Sequence, residues 1–501
     1  MQSDVSGPAP ELSFPVQFQV FGGSDYNLDF RGKGSLTIRA AGPTYTFTGR
    51  RRRPFISGPT VALEFGPDDI WNVTVSERTV RFSTTLGKAG KSTGPFMFVC
   101  RDAATAANVA ALLPQRKDED FVAAKNFTAK LNSMSGGGPA WRSVTNLIIA
   151  VNVLVFAGMA AVLGTGWFEV ADMLPYVRYG ANNGAATTDG EWWRLVTCMF
   201  MHYGIIHLAL NMWALFQVGR LLERLLGRVH YAVAYFGSGI VGSLVSILWH
   251  GDRMWSAGAS GAIFGIYGAL LGYMGREKHG MPRSLFQPLF KSTAGFAAYN
   301  LFYGLVHPGI DNSAHLGGFL SGIVIGWLVA LPVEAEPRRA LGRPRLLQGL
   351  VVCGLMIGIG VAVAPRYDYR PVEELSWESA LKDVGARESA LVQDYQRRVA
   401  DYGKDPAAAG AALGTFLGQE FIPFYQELAR QLSGLRYSAN HRTERRRLGL
   451  LNFAEARVAA GGQLLEGLRA GNPAALAQYQ QKDEQAAAEL EQAVGQAPKK
   501  P

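Results

Sequence analysis

Seven long apolar runs follow one another through the middle of the chain. They cover residues 143–163, 195–222, 229–249, 258–274, 286–306, 313–331 and 346–364. Because the hydrocarbon core of a bilayer is about 30 Å thick, a spanning helix needs about 20 apolar residues. The runs therefore predict a polytopic α-helical membrane protein with seven helices, of which the fourth is short unless it begins inside the bilayer. A content of 48% apolar and 18% charged residues excludes intrinsic disorder.

Basic residues predict how these helices are oriented. Most of the arginines and lysines that flank the runs fall on one side, and only Arg178 and Arg253 fall on the other. Short loops rich in Lys and Arg face the cytoplasm. The first twenty residues lack the basic start and apolar run of a cleavable signal peptide, so we expect a cytoplasmic N-terminus. An odd number of spans then places residues 366–501 on the extracytoplasmic side.

The segments on either side of the apolar runs predict soluble domains. Residues 1–113 contain alternating runs such as SLTIRA, TYTFTG and FMFVC, which predict a cytoplasmic β-rich domain. A helix with Asp102 as its N-cap is expected to close this domain, whose pattern resembles a pleckstrin-homology-like barrel. Residues 114–142 are predicted to form a linker, 143–331 a six-helix core, 346–365 a seventh helix and 366–501 a helical domain.

The formal net charge of +9 suits either nucleic acid or an anionic membrane surface. The run Arg50–Arg53 has two interpretations, a contact with such a polyanion or a solvated hairpin edge. Given the spans, we expect the lipid bilayer as partner and no nucleic acid.

The residue types and their spacing do not indicate a metal site or an organic cofactor. The three cysteines, Cys100, Cys198 and Cys353, are too scattered for a disulfide framework or a CxxC metal site. The motifs HExxH and GxGD of membrane metalloproteases and aspartyl proteases are missing from the sequence. We expect neither a metal nor an organic cofactor.

Strongly polar residues inside the predicted spans are costly, and each is therefore a candidate for a functional site. From the rise of an α-helix, Ser260 and His207 lie about 20 Å above the cytoplasmic ends of their helices, and His315 lies about 24 Å above its own. Asn211 shares the helix face of His207 one turn deeper. Three helices thus bring polar groups to one level near the outer third of the bilayer.

Small residues around these positions favour close helix packing. GASGAIFG surrounds Ser260 and AHLGGFLSG surrounds His315, and both segments present small-xxx-small faces. Taken singly, the glycines fit plain packing and His315 fits a satisfied core histidine. Taken together at matched depth, Ser260 and His315 become a candidate nucleophile and general base. His207 and Asn211 either bond neighbouring backbone or stabilise an oxyanion.

At these residues the chain resembles the rhomboid family of intramembrane serine proteases. The resemblance covers about residues 144–331 and joins four motifs in the family's order, which are EWWR (191–194), HxxxN (207–211), GASG (258–261) and AHLGG (314–318). It implies a six-helix core in which Ser260 is the nucleophile and His315 the base. His207, Asn211 and the backbone N–H of Ser260 would be the oxyanion donors. The seventh helix occurs in longer members of the family.

Other residues match family positions of a structural kind. Arg194 and Glu223 match positions that hold the first loop and the helix bundle, and His202 matches a structural or site-lining histidine. Phe264 would stack against His315 or serve as ordinary core packing, and the family often has tyrosine there. The predicted topology and the resemblance together favour a bacterial cytoplasmic membrane as the location, with an organelle membrane as the alternative.

These features predict a rhomboid-type endopeptidase that cuts transmembrane protein substrates in or near their spanning helices through an acyl-enzyme. Only a Ser–His dyad is expected, because Asp311 lies one turn outside and is predicted to be in a loop. The helix over 286–306 is either a lateral gate or a plain lipid-facing helix. The substrate-binding residues and the oligomeric state remain without a prediction.

Two other functions are compatible with a polar cluster in the membrane. One is a non-catalytic rhomboid-like module that binds membrane proteins, and retention of both Ser260 and His315 argues against it. The other is a transporter or channel, which the lack of internal repeats and of paired broken helices disfavours.

Overall fold

The computed structural model describes residues 11–18, 30–39, 44–52, 57–84, 94–134, 143–163, 173–367, 370–435 and 442–495. The chain divides into two units, Met1–Met134 with His279–Leu289, and Ser135–Lys278 with Phe290–Pro501. The run Arg50–Arg53, for which a polyanion contact was considered, lies largely outside the described side chains.

The first unit contains an antiparallel sheet of seven strands. In spatial order the strands are β4-β3-β2-β1-β7-β6-β5. Their bounds are β1 Glu11–Phe18, β2 Phe30–Arg39, β3 Thr44–Arg52, β4 Ser57–Phe65, β5 Ile70–Ser76, β6 Thr79–Thr84 and β7 Gly94–Val99. The predicted β-rich fold is confirmed.

A phenylalanine cluster fills the inner face of this sheet. Successive residues of a strand point to opposite faces, so alternate aromatic positions come together on one side. The cluster includes Phe18, Phe47, Phe65, Phe82, Phe96 and Phe98. Helix α1 (Ala103–Leu112) packs Ala106 and Val109 into the same core. Asp102 accepts a hydrogen bond from the backbone N–H of Thr105 at 2.7 Å, which confirms it as the N-cap.

Helix α2 (Glu119–Met134) occupies most of the segment that was predicted to be a linker. Its start is fixed by Asp118, whose side chain accepts the N–H of Phe121 at 2.7 Å. The next carboxylate, Asp120, accepts the backbone N–H groups of Arg283 and Ser284 at 2.7 and 3.0 Å within the same unit.

The second unit holds the helices of the membrane region and the C-terminal helices. Their bounds are α3 Val144–Leu163, α4 Leu174–Tyr179, α5 Gly184–Thr188, α6 Arg194–Thr197, α7 Ile205–Leu226, α8 Arg228–His250, α9 Ser260–Arg276, α10 Arg283–Val306 (from Phe290 onward), α11 Asn312–Val329, α12 Ala335–Val363, α13 Pro371–Lys404, α14 Pro406–Phe416, α15 Ile422–Ser433, α16 Arg442–Arg469 and α17 Ala475–Gly495. Among the described residues, five helices are long and apolar enough to cross a membrane, namely α3, α7, α8, α11 and α12. The chain is an integral multi-pass membrane protein.

Two of the predicted apolar runs differ from the helices that form. The run 195–222 begins with the short helix α6 and a 3-10 turn at Cys198–Phe200, and α7 starts only after Gly204. Gly204 has φ 85°, a left-handed conformation that suits glycine and that a regular helix does not contain. Helix α7 can therefore begin only after this residue. The run 346–364 extends backward to Ala335, so that Arg338 and its basic neighbours lie in the first turns of α12 instead of in a loop.

Glycine faces bring α9 and α11 into backbone contact. A Cβ built on Gly318 would clash with the carbonyl of Gly261, and one built on Gly322 would clash with that of Gly265. A Cβ on Gly268 would clash with the carbonyl of Phe319 in the opposite direction. Small residues at both surfaces allow this approach, as the small-xxx-small pattern predicts.

The C-terminal helices enclose a core of their own around a buried arginine. Arg457 is 8% exposed and donates to the carboxylate of Asp483 at 2.7 and 3.1 Å. It also donates to Glu388 at 3.2 Å. Such a buried cation requires this pairing, because an unpaired charge in an apolar core is strongly unfavourable.

We expect Gly322→Val to lower the free energy of unfolding by about 1–3 kcal/mol, because the added carbons overpack the α9–α11 contact. The measurement is thermal unfolding of the purified protein in detergent. Gly354→Val in α12 is the control, since a Cβ there meets no atom within 4 Å. Equal melting temperatures for both variants would contradict the proposed packing constraint.

Candidate active site

Ser260 is the first residue of α9 and follows a backbone conformation that glycine permits. Gly258 has φ 135°, and a Cβ at that position would lie 2.9 Å from Cε1 of His207. The N–H of Gly258 donates to the carbonyl of Cys198 at 2.8 Å. The turn before the serine is therefore pressed against the segment that precedes α7.

The loop that leads to this turn is held by two asparagines. Asn182 and Ser256 exchange two backbone hydrogen bonds of 2.8 Å each. The side chain of Asn183 donates to the carbonyls of Asp252 and Met254 at 2.8 and 3.1 Å. Irregular backbone near membrane depth requires such partners, because unpaired carbonyls in an apolar medium are costly.

His315 lies on α11 directly opposite Ser260. Its Nε2 is 2.8 Å from Oγ of Ser260, a hydrogen-bond distance. The imidazole stacks on the ring of Phe264, with centroids 4.3 Å apart and an interplanar angle of 14°. The side chain is 8% exposed, and its Nδ1 has no hydrogen-bond partner among the described residues. The structure thus brings the predicted nucleophile and base together.

His207 and Asn211 lie one turn apart on α7 and line the same cavity as Ser260 and His315. Nδ1 of His207 accepts the backbone N–H of Tyr203 at 3.3 Å. Asn211 donates one N–H to the carbonyl of His207 at 2.9 Å. Each side chain therefore keeps a donor that these bonds leave unused.

His202 stands behind the serine turn. It is 1% exposed, and its Nε2 accepts the backbone N–H of Ala259 at 3.4 Å. Its ring meets that of His207 edge-on, with centroids 5.0 Å apart. This arrangement supports the turn and does not place the imidazole of His202 in the cavity lining.

Arg194 and Glu223 anchor chain segments away from the serine. Arg194 is 1% exposed and donates to the carbonyls of Val177 and Ala181 at 2.6 and 2.9 Å. Glu223 on α7 accepts the backbone N–H groups of Val144 and Thr145 at 2.8 and 3.0 Å, and so caps α3.

Asp311 was predicted to lie in a loop outside the site, and the structure corrects this. Its carboxylate is the N-cap of α11 and accepts the N–H of Ala314 at 3.0 Å. It is 9% exposed and lines the cavity. Spacing along the chain cannot reveal this burial, because the side chain is covered by residues of α8 that are distant in sequence.

A cavity of about 450 Å³ is lined by Ser260, His315, His207, Asn211 and Asp311. Its walls include Leu210 and Trp213 of α7 together with Phe296, Asn300 and Tyr303 of α10. The α10 residues were not predicted individually, although Asn300 is a strongly polar residue inside a predicted span and could have been selected on that ground. Within the described part of the chain, no group of three or more His, Cys, Asp or Glu side chains is placed to hold a metal ion.

The part of the chain that contains Ser260, His315, His207 and Asn211 is similar to known proteins. The family described as the Rhomboid domain matches residues 189–332. The chain is 35% identical over 214 residues to rhomboid protease GluP of Bacillus subtilis, covering 43% of this chain and 39% of that protein. It is 33% identical over 160 residues to the putative rhomboid protease YdcA of the same organism, covering 32% of this chain and 76% of that protein.

A plant relative is similar in the same way. RHOMBOID-like protein 5 of Arabidopsis thaliana is 37% identical over 161 residues, covering 31% of this chain and 49% of the relative. The chain therefore matches less than half of the length of GluP and of this plant protein, and about three quarters of YdcA.

We expect Arg194→Lys to lower the free energy of unfolding by about 2 kcal/mol, because an ammonium cannot reproduce the guanidinium fork that reaches two carbonyls and Glu191. Thermal unfolding in detergent measures the effect. The control is Arg178→Lys, at an exposed arginine of α4. A loss of stability in the control as large as that in Arg194→Lys would refute this role of Arg194.

Proposed function

This chain belongs to the rhomboid family, and from that premise we propose that it is an intramembrane serine protease in which Ser260 is the nucleophile and His315 the general base. The 2.8 Å contact between Oγ of Ser260 and Nε2 of His315 carries the proposal. It places a hydroxyl and a base within reach of proton transfer at the wall of one cavity.

In the proposed reaction, Oγ of Ser260 attacks the carbonyl carbon of a substrate peptide bond while its proton passes to Nε2 of His315. The tetrahedral intermediate collapses when the C–N bond breaks and the leaving amine takes that proton. Water then hydrolyses the acyl-enzyme with His315 again as the base. The flat stacking of His315 on Phe264 supports this role, because it holds the imidazole in one orientation.

Donors for the oxyanion come from α7 and from the start of α9. Because Nδ1 of His207 accepts a backbone N–H, the proton of its neutral ring resides on Nε2, which is then a donor. The bond to the carbonyl of His207 uses only one of the two N–H groups of the Asn211 amide, and the other is the proposed donor. The backbone N–H of Ser260, at a helix N-terminus, adds a donor where the helix dipole favours negative charge.

Helix α10 is the proposed lateral gate for the substrate. Of its 24 described residues, only Thr293, Ala297 and Gly304 are buried. It nevertheless contributes Phe296, Asn300 and Tyr303 to the cavity wall. A helix that lines the cavity with little burial of its own can move aside at low cost, which supports the gate over a plain lipid-facing helix.

Transmembrane protein substrates are proposed because the nucleophile lies on a membrane-spanning bundle. A helical substrate must be unwound locally before its carbonyl is accessible, so small or helix-breaking residues are expected near the cut.

We further propose a cytoplasmic N-terminal domain over 1–113 and an extracytoplasmic domain over 366–501 in a bacterial cytoplasmic membrane, with a linker, the protease core and α12 between them.

The full chain in liposomes is expected to cleave labelled single-span proteins whose spans contain Gly, Ser or Pro. Ser260→Ala and His315→Ala should each lower the cleavage rate by about a thousandfold, because either change removes the proton-transfer pair. Cleavage is followed by gel mobility of the labelled fragments.

Ser321→Ala is the matched control for these variants. Ser321 is another buried serine of the bundle, and its hydroxyl bonds the carbonyl of Gly317 at 2.7 Å. The Ser321→Ala variant should cleave the substrates at the wild-type rate. Cleavage by Ser260→Ala at the wild-type rate would refute the proposal, and binding of the panel without cleavage by folded wild type would favour the non-catalytic binding module.

Asn211→Ala should lower the rate of labelling by a fluorophosphonate probe by about a hundredfold, because one oxyanion donor is lost. Asn152→Ala on α3 is the matched control. Asn152 is also buried, and it donates to the carbonyl four residues earlier, as Asn211 does, without lining the cavity. Equal labelling rates for Asn211→Ala and wild type would remove Asn211 from the oxyanion donors.

A further inference from the structure

A hydrogen-bonded cluster surrounds the carboxylate of Asp311 at the outer end of the bundle. Oδ2 accepts the hydroxyl of Ser246 on α8 at 2.5 Å, and Oδ1 accepts the hydroxyl of Ser313 at 2.6 Å. Oδ1 also accepts the backbone N–H of Ala314 at 3.0 Å. Nε2 of His250, in the last turn of α8, is 3.4 Å from Oδ1. The carboxylate thus ties the start of α11 to the end of α8.

The cluster leaves Asp311 ionised. Burial by itself would raise the pKa of this carboxyl, but hydrogen bonds from Ser246, Ser313 and Ser256 and from the Ala314 amide outweigh it and hold the pKa below its ordinary value. A carboxylate with several donors carries its negative charge at neutral pH.

This charge stands one helical turn before His315. The backbone N–H of His315 donates to the carbonyl of Asp311 at 3.2 Å, so the two residues belong to one turn of α11. Both side chains line the cavity. The tie to α8 therefore fixes the helix end that presents His315 to Ser260.

Proton transfer from Ser260 would create a cation on His315 in a weakly polar site. Opposite charges attract more strongly there than in water. No hydrogen-bond partner for Nδ1 of His315 occurs among the residues that the structure describes. A fixed carboxylate nearby can stabilise the imidazolium through space without a direct bond.

We propose that Asp311 is a positioning residue for the Ser260–His315 pair, holding the first turn of α11 against Ser246 of α8 and supplying a fixed negative charge near the imidazolium. This inference rests on the proposed protease function. It adds a carboxylate to a reaction that was expected to rely on a dyad alone.

The test compares Asp311→Asn with Asp311→Ala in the full chain, labelled by a fluorophosphonate probe. In labelling, Oγ of Ser260 bonds to phosphorus, fluoride leaves, and the hydroxyl proton passes to His315. Asparagine retains an oxygen that can cap Ala314 but lacks the charge. We expect Asp311→Asn to retain the wild-type melting temperature while the maximal labelling rate falls about tenfold at unchanged half-saturating probe concentration.

Three further variants complete the design. Asp311→Ala should lose both the labelling rate and thermal stability, because charge and cap disappear together. Ser246→Ala retains the charge and the cap but removes the hydrogen bond from Ser246, the shorter of the two contacts with α8, and its maximal labelling rate should fall about threefold. Asp189→Asn, at a half-exposed carboxylate paired with Arg370, is the control and should label as wild type does.

The outcomes separate this inference from the proposed function. Failure of folded wild type to label at Ser260 would remove the protease proposal itself. If wild type labels and Asp311→Asn labels at the same maximal rate, asparagine rescues the site and Asp311 is only a helix cap. If Asp311→Asn does not fold, the test of the positioning role depends on Ser246→Ala. A wild-type labelling rate for Ser246→Ala would then overturn the inference.

Discussion

Backbone contact between α9 and α11 is the constraint on which the candidate site depends. Lipid tails are as apolar as leucine, so helices in a membrane associate through close van der Waals packing more than through hydrophobic burial. A Cβ on Gly318 or Gly322 of α11 would clash with the backbone of α9, and one on Gly268 of α9 would clash with the backbone of α11. At this separation, a serine at the start of one helix and a histidine near the start of the other reach hydrogen-bond distance.

The outer ends of these helices depend on polar contacts instead of glycines. The Asn183 side chain satisfies two carbonyls of the loop that precedes Ser260, and the backbone of Asn182 pairs with that of Ser256 in the same loop. At the start of α11, the carboxylate of Asp311 accepts the backbone N–H of Ala314. A nucleophile and base must be held within about 0.5 Å of their working geometry. Buried hydrogen bonds with donors and acceptors on separate segments provide that precision, because moving either segment would break several of them.

Much of the site could be predicted because helix geometry converts sequence spacing into depth. The level of Ser260, His207 and His315 followed from a rise of about 1.5 Å per residue. The start of α7 was placed about ten residues too early, because apolarity continues through a 3-10 turn and Gly204. Asp311 was placed outside the site because spacing does not show that Ser246, 65 residues earlier, covers its carboxylate.

By itself, the sequence determined the apolar spans, the β-rich and helical segments on either side, and the polar residue types that share one depth. These features depend on local backbone geometry and on transfer from water to lipid, which neighbouring residues dictate. Only the tertiary structure decided that His315 faces Ser260, that His202 supports the turn behind it, and that Asp311 is buried against α8. Such contacts join residues far apart in the chain, and they depend on which helix faces meet and how closely they approach.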